Sequence, residues 1–392
     1  MVPPTASWAL PDEVIPPHGG NRSAAARRLG CRPEQLLDAS ASLVPFGPPA
    51  GLRRQLRRAA AGLALRDYPD RDYTELRQAL ARVHGLDPAW VLPGNGAAEL
   101  FTWAARDAAA LGPSLLAVPG FADYGRALAC WQGAWLPQPL PLEWGAAFPQ
   151  PYPDPGAAAT PARVLWLTNP HNPTGQLWSR ASLEPLLDRF DLVIVDEAFL
   201  PLVPQGELQS LVSLLPHHPG RGVFRSLTKL FAIAGLRLGY ALAQPERLAR
   251  WSAWRDPWPV NGLAAAVAPA LLADPLWHRR VQRWVAEEGA WLSGRLAALP
   301  GLRPCPSAVN FLLVRATAAP EADPGAEPRE GLEPLRLALE QRHRILLRDC
   351  RSFPGLGPAW LRIGLQDRRG HRRLLAALHR ELGESRGRVK VP

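Results

Sequence analysis

The chain has 392 residues, 47% apolar and 20% charged, with a net charge of +10. That length buries a large core in two or three domains, and the composition is ordinary for a globular protein. The apolar runs are short and broken by Arg, Pro or Gly, which argues against a membrane span. The arginines spread along the whole sequence at helical spacing, as in GLRRQLRRAAAGLALR, and read as solvated helix faces and not as a nucleic-acid docking stripe. Cys31, Cys130, Cys305 and Cys350 lie far apart with no CxxC pair and no ligand spacing to histidine, so neither a disulfide framework nor a metal site is expected.

The first ~50 residues lie outside any strand and helix alternation. The opening MVPPTASWALPDEVIPPHGG holds two acids and no basic stretch. It is therefore not read as a secretory signal, and a cytoplasmic location is the expectation. Further along, LPGNGAAELF (92–101) is a two-glycine turn whose small residues open a helix. Unpaired N–H groups and the dipole at such a start suit a phosphate. It does not fit the dinucleotide fingerprint, because only Gly94 and Gly96 are in register.

From there, apolar runs alternate with helical patterns: LLAV (115–118), VLWLT (164–168), LVIVD (192–196), VFRS (223–226) and LGYALA (238–243). Continuous runs of this length read as buried parallel strands of an α/β sheet, with ligands gathering beyond their carboxyl ends. Those ends carry Asn172 in the proline-stiffened loop NPHNPTG, Asp196 in VIVDEAF, and Lys229 in RSLTKLFAIAGLRLGY. A carboxylate closing an apolar strand is costly unless it meets a cation or merely caps a loop. His171 in the same proline loop reads as an ordinary loop residue. The segments 137–162 and 316–333 are rich in Pro, Ala and Gly and read as surface insertions. Beyond about 270, amphipathic helices (277–297, 331–342, 370–382) and short strands (NFLLV, RILLR, WLRIGL) suit a smaller α+β domain completed by the N-terminal arm. The expected division is 1–50, 51–270 and 271–392.

Lysine usage singles out one residue. Of 45 basic residues only Lys229 and Lys390 are lysine, and Lys390 sits in a polar tail. Arginine replaces lysine wherever charge suffices, but not where the nitrogen must lose its proton and attack a carbonyl. Ser226 and Arg237 flank Lys229 and offer hydroxyl and guanidinium donors to a phosphate.

The ordered set GNGAAE, NPHNPTG, DEAF and SLTKLFAIAGLRLGY resembles the fold-type I pyridoxal-phosphate aminotransferase superfamily over nearly the whole chain. The resemblance implies a large domain with a mostly parallel sheet between helices, plus a smaller α+β domain. It implies pyridoxal 5'-phosphate as cofactor, Lys229 as its Schiff-base lysine, Asp196 against the ring nitrogen and Asn172 on the ring hydroxyl. Ser226, Arg237 and the amides of Gly96, Ala97 and Ala98 would hold the phosphate. Tyr124 of PGFADYG would stack on the ring, and Tyr68 of YPD would reach the cofactor of a second copy in a homodimer.

Within the superfamily the chain is similar to the branch of histidinol-phosphate aminotransferases and L-threonine-O-3-phosphate decarboxylases. His18, Gly19 and Asn21 of HGGN, Arg348 and Arg362 as a C-terminal arginine pair, and Phe199 in DEAF match the decarboxylases. These imply a phosphorylated amino-acid substrate, with His18 on its phosphate and the arginines on phosphate and carboxylate. The reaction implied is decarboxylation to 1-amino-2-propanol phosphate for cobalamin synthesis. Transamination, or a non-catalytic ligand-binding role on the same fold, are the alternatives. The chain departs from the branch at Ser42 and Val44, where asparagines are usual, and at His171.

Overall fold

The computed structural model describes residue 16 and residues 18–156, 161–317 and 331–387, with side chains to residue 383. The insertion expected at 316–333 falls mostly outside the described residues. So does Lys390.

Among the described residues, twelve strands form two sheets. Strand β1 (Leu37–Ala39) belongs to the smaller one. The larger sheet takes β2 (Val91–Gly94), β3 (Ser114–Val118), β4 (Trp135–Pro139), β5 (Val164–Thr168), β6 (Leu192–Asp196), β7 (Arg221–Ser226) and β8 (Gly239–Ala243). Its order is β2-β8-β7-β6-β5-β3-β4. The small sheet adds β9 (Leu302–Pro304), β10 (Phe311–Ala316), β11 (Ile345–Asp349) and β12 (Trp360–Gly364), in the order β1-β11-β12-β10-β9.

The large sheet is buried on both faces, which is why its strands read as unbroken apolar runs. Leu165, Leu167, Val193 and Val195 join the main core on one side. Their neighbours Val164, Trp166, Leu192 and Ile194 join a second core on the other. That alternation follows from the two-residue period of a strand.

One strand differs from expectation. The run 238–243 forms β8, but it pairs antiparallel with β7 and with β2. Its connection from Ser226 is only two short helical turns, Leu227–Leu230 and Ala234–Leu236. A parallel return needs a full crossover, which this turn does not provide. The Pro-rich stretch after 134 contributes β4, parallel to β3 at the sheet edge, where proline is tolerated. In the small sheet β1 pairs parallel with β11, tying residues 37–39 to the C-terminal strands.

No helix among the described residues is long and apolar enough to cross a membrane. All four cysteines are free, and no group of three metal-ligating side chains occurs among the described residues.

Candidate active site

Strand ends determine where the polar side chains meet. Thr168 and Asp196 are register partners on β5 and β6. Both lie on the face of Trp166 and Ile194, where Tyr124 also packs. The Tyr124 hydroxyl donates to Asp196 Oδ2 at 2.7 Å and lies 2.8 Å from Thr168 Oγ1. The backbone N–H of Ala198 reaches Asp196 Oδ1 at 2.9 Å. Burial pushes the Asp196 carboxyl above the usual carboxylate range, against Tyr124, Ala198 and Lys229, which favour its charged form. Among the described residues it makes no ion pair, so a cation in the cavity would complete its surroundings.

Lys229 lies in the turn after β7, with its Nζ 5.6 Å from the Phe199 ring centroid. Burial lowers its amine to about 8; Arg362 and Arg237 add to the effect and Asp196 opposes it. At neutral pH such an amine has an appreciable neutral fraction, as an attack on a carbonyl requires.

The phosphate corner depends on two glycines. The helix Ala97–Leu111 opens at Gly96, φ +79°, with no side-chain cap, so its first N–H groups have no intrahelical partner. A Cβ on Gly96 would lie 2.5 Å from Arg237 Nη2, and one on Gly239 would lie 2.5 Å from the Ala97 amide. Without those side chains Arg237 and the helix start crowd into one corner. Ser226 Oγ and Thr228 Oγ1 stand 2.7 Å apart beside them. Thr228 went unnoticed in the sequence, although it lies one residue before the lysine.

The opposite wall comes from the small sheet and the arm. Arg348 and Arg362 are register partners on β11 and β12, so their side chains leave the same face. Both are buried. Arg362 Nη1 donates to Asn172 Oδ1, while its buried Nε has no hydrogen-bond partner among the described residues. Burial lowers the pKa of both guanidinium groups, and Arg348 presses further on Arg362. Arg348 Nη1 also donates to the Pro16 carbonyl at 2.8 Å. His18 stands exposed at the edge, its ring 5.6 Å from that of Phe121. Burial lowers its pKa, and Asp123 is the largest opposing influence.

These groups line one cavity of about 620 Å³. Twelve of the fifteen expected residues face it: His18, Gly19, Gly96, Ala97, Ala98, Asn172, Asp196, Ser226, Lys229, Arg237, Arg348 and Arg362. Three do not. Tyr124 lies behind Asp196, whereas Phe121 of the same PGFADYG segment is on the wall. The sequence singles out Tyr124 alone; Phe121 is the cap residue before the helix Ala122–Ala129, and Tyr124 lies within it. Asn21 accepts from the Ala24 amide and caps the helix Arg22–Arg28. Tyr68 is 78% exposed and stacks on Trp258 with centroids 4.3 Å apart. Arg22, Asp38, Ser40, Asp123 and Thr228 line the cavity without having been singled out. A second depression of about 490 Å³, beside Phe148 and Val285, has no charged side chain on its wall.

The residues fit pyridoxal phosphate. A low-pKa amine, a buried carboxylate without a cation, and a phosphate corner that a Cβ at Gly96 would fill all meet in one cavity. His171, by contrast, is buried away from the cavity wall, 2.8 Å from Thr174 Oγ1 through Nδ1, and burial lowers it to about 3.

Known proteins give the same picture. The family model "Aminotransferase class I and II" matches residues 35–378. A threonine-phosphate decarboxylase of Salmonella typhimurium is 37% identical over 376 residues, covering 93% of this chain and 96% of its own. Histidinol-phosphate aminotransferase 2 of Ralstonia nicotianae is 32% identical, covering 93% of each chain. Among solved structures, the histidinol-phosphate aminotransferase of Sinorhizobium meliloti in complex with pyridoxal-5'-phosphate has a TM-score of 0.79 at 24% identity. That match covers 97% of this chain and all of the other. The chain belongs to the aminotransferase class I and II family.

Proposed function

We propose that the protein is a pyridoxal-phosphate enzyme that decarboxylates L-threonine O-3-phosphate to 1-amino-2-propanol phosphate, a precursor in cobalamin synthesis. The observation that carries this reading is the buried, register-paired Arg348 and Arg362 facing Lys229 across one cavity, with His18 at its edge. The 37% identity to a threonine-phosphate decarboxylase supports it. A soluble cytoplasmic homodimer, with Tyr68 directed at the second copy, belongs to the same reading. So do a cofactor-binding domain at 51–270, a small domain at 271–392, and an arm at 1–50 joining it. The placement of β2 to β8 within 91–243 and the pairing of β1 with β11 support that division.

When bound, pyridoxal phosphate supplies an electron sink for the carbanion left at the substrate Cα. The rest falls to side chains. Lys229 would hold the cofactor covalently at rest and, once released and protonated, its ammonium would deliver a proton to Cα. Asp196, kept in place by Tyr124 and the Ala198 amide, holds the proton on the ring nitrogen. Asn172 spends its Oδ1 on Arg362, leaving its amide N–H₂ for the ring hydroxyl. Phe199 brings no hydroxyl to that edge and fills it with an apolar ring. Arg348 and Arg362 bind the two anions of the substrate through fork-shaped, charge-assisted donors. Their placement would orient the substrate's carboxylate and phosphate within the cavity.

A second reading, transamination, is supported by the 32% identity to histidinol-phosphate aminotransferase 2 of Ralstonia nicotianae. One paired assay separates the two. O-phospho-L-threonine alone is expected to yield CO2 and aminopropanol phosphate. Histidinol phosphate with 2-oxoglutarate is expected to yield no glutamate. Glutamate only in the second tube would overturn the decarboxylase reading.

A further inference from the structure

The turn that carries His18 has little of its own to hold it, being a His-Gly-Gly sequence with no regular element. Its fixed point is Ser40. The Gly20 amide donates to Ser40 Oγ at 2.9 Å. Ser40 Oγ in turn donates to Asp38 Oδ1 at 2.6 Å, and the Ser40 amide reaches the same oxygen at 3.0 Å. A serine hydroxyl has one proton to give. Because that proton goes to the Asp38 carboxylate, the oxygen presents its lone pairs to Gly20 and has no donor left for a ligand.

The contact is also sterically specific. A Cβ on Gly19 would lie 2.4 Å from the Ser40 carbonyl oxygen and 2.9 Å from its Oγ. Gly20 adopts φ +86°, which side chains resist. Asp38 and Ser40 are both buried, and both line the same cavity as His18. Asp38 belongs to β1, which is paired with β11, the strand that carries Arg348. The clamp therefore references the His18 turn to the strand that holds the anion-binding arginine.

We propose that Ser40, oriented by Asp38, is a positioning residue for the substrate phosphate. It acts solely through the His18 turn and sets the affinity for phosphorylated substrates. This rests on the reading of His18 as a phosphate ligand. It also explains an acid in a cavity built for anions: one Asp38 carboxylate oxygen is occupied by two Ser40 donors.

The test is a double-mutant cycle on the holoenzyme with O-phospho-L-threonine. Ser40→Ala is expected to raise KM about fivefold, the factor of about one net hydrogen bond, and to change kcat less than twofold. His18→Ala is expected to raise KM more. The double variant is expected to match His18→Ala alone, because Ser40 has nothing left to position. Asp38→Asn keeps an acceptor for the Ser40 hydroxyl and restores most of the affinity, whereas Asp38→Ala behaves like Ser40→Ala. This second route remains informative if Ser40→Ala does not fold. If His18→Ala leaves KM unchanged, the phosphate reading fails and the proposal with it. If His18→Ala raises KM but the Ser40 effect is absent or multiplies in full in the double variant, only the proposal fails.

Discussion

At one end of the cavity, Asp196, Ser226 and Lys229 stand on the adjoining strands β6 and β7 and the turn that follows. Each is fixed by a sheet buried on both faces. At the other end, His18 and Arg348 come from opposite ends of the chain, and the Gly20–Ser40 and Arg348–Pro16 hydrogen bonds hold the chain on either side of His18. The first end is held by continuous packing, and its residues are expected to govern chemistry and cofactor attachment. At the second, the His18 turn is held by hydrogen bonds worth about 1 kcal/mol apiece, and the side chains there are expected to govern affinity. Substitutions at the two ends should therefore separate into kcat and KM effects.

The largest effect is expected at Lys229. Lys229→Arg keeps the charge but cannot lose a proton, so covalent attachment of the cofactor disappears and the rate falls on the order of 10³-fold or more. Absorbance of the bound cofactor and single-turnover rates check both. In the wild-type chain the amine is held down to about 8, below its ordinary 10.5. Its neutral fraction, and with it the rate of cofactor attachment to the apoprotein, should rise as pH increases and level off above about 8. A rate that is flat from pH 6 to 9 would contradict this.

Next comes the far wall. Arg362 is buried, and its loss leaves the Asn172 carbonyl and one substrate anion without their donor. Arg362→Ala should raise KM on the order of 10²-fold, and Arg362→Lys should recover only part, since an ammonium lacks the fork. A kcat loss with unchanged KM would show that the two ends are not separable in this way.

Tyr124 belongs to the first end. Tyr124→Phe keeps the ring against Phe101, whose centroid lies 5.2 Å away, and removes the donor to Asp196. A hydrogen bond to a charged group of that kind corresponds to a fall in kcat of about tenfold, with a shifted pH dependence of the cofactor spectrum. Phenylalanine would stack on a cofactor as well as tyrosine does. An unchanged kcat would therefore return Tyr124 to the stacking role that its sequence context suggests.

The same contrast explains what could be read from the sequence alone. Strands β5 and β6 are unbroken apolar runs because both faces are covered. The near absence of lysine exposes Lys229, and the glycines of GNGAAE mark the phosphate corner. The direction of β8 is not visible in LGYALA, since an apolar run is the same in either orientation; only the brevity of the 227–238 turn sets it. That Phe121 faces the cavity while Tyr124 turns to Asp196 depends on which way a helix start faces. Asp38 and Ser40 look like ordinary strand-end residues until the His18 turn, some 20 positions earlier, is seen to rest on Ser40.

Asn21 is where the smallest effect sharpens the comparison most. From HGGN it is expected beside the substrate, yet its side chain accepts the Ala24 amide at 3.1 Å and begins the helix Arg22–Arg28. Asn21→Ala should cost about 1 kcal/mol of stability, as losing a helix cap does, and Asn21→Ser should cost little because serine caps equally well. Neither should change KM beyond the small shift that loosening the arm transmits to His18. Denaturant unfolding and steady-state assays on the pair distinguish the roles. If Asn21→Ser preserves stability but raises KM as strongly as His18→Ala, Asn21 turns toward the ligand in the complex and the arm rearranges on binding. If both variants follow the cap alone, the arm is a preformed wall that presents only His18 and its glycines.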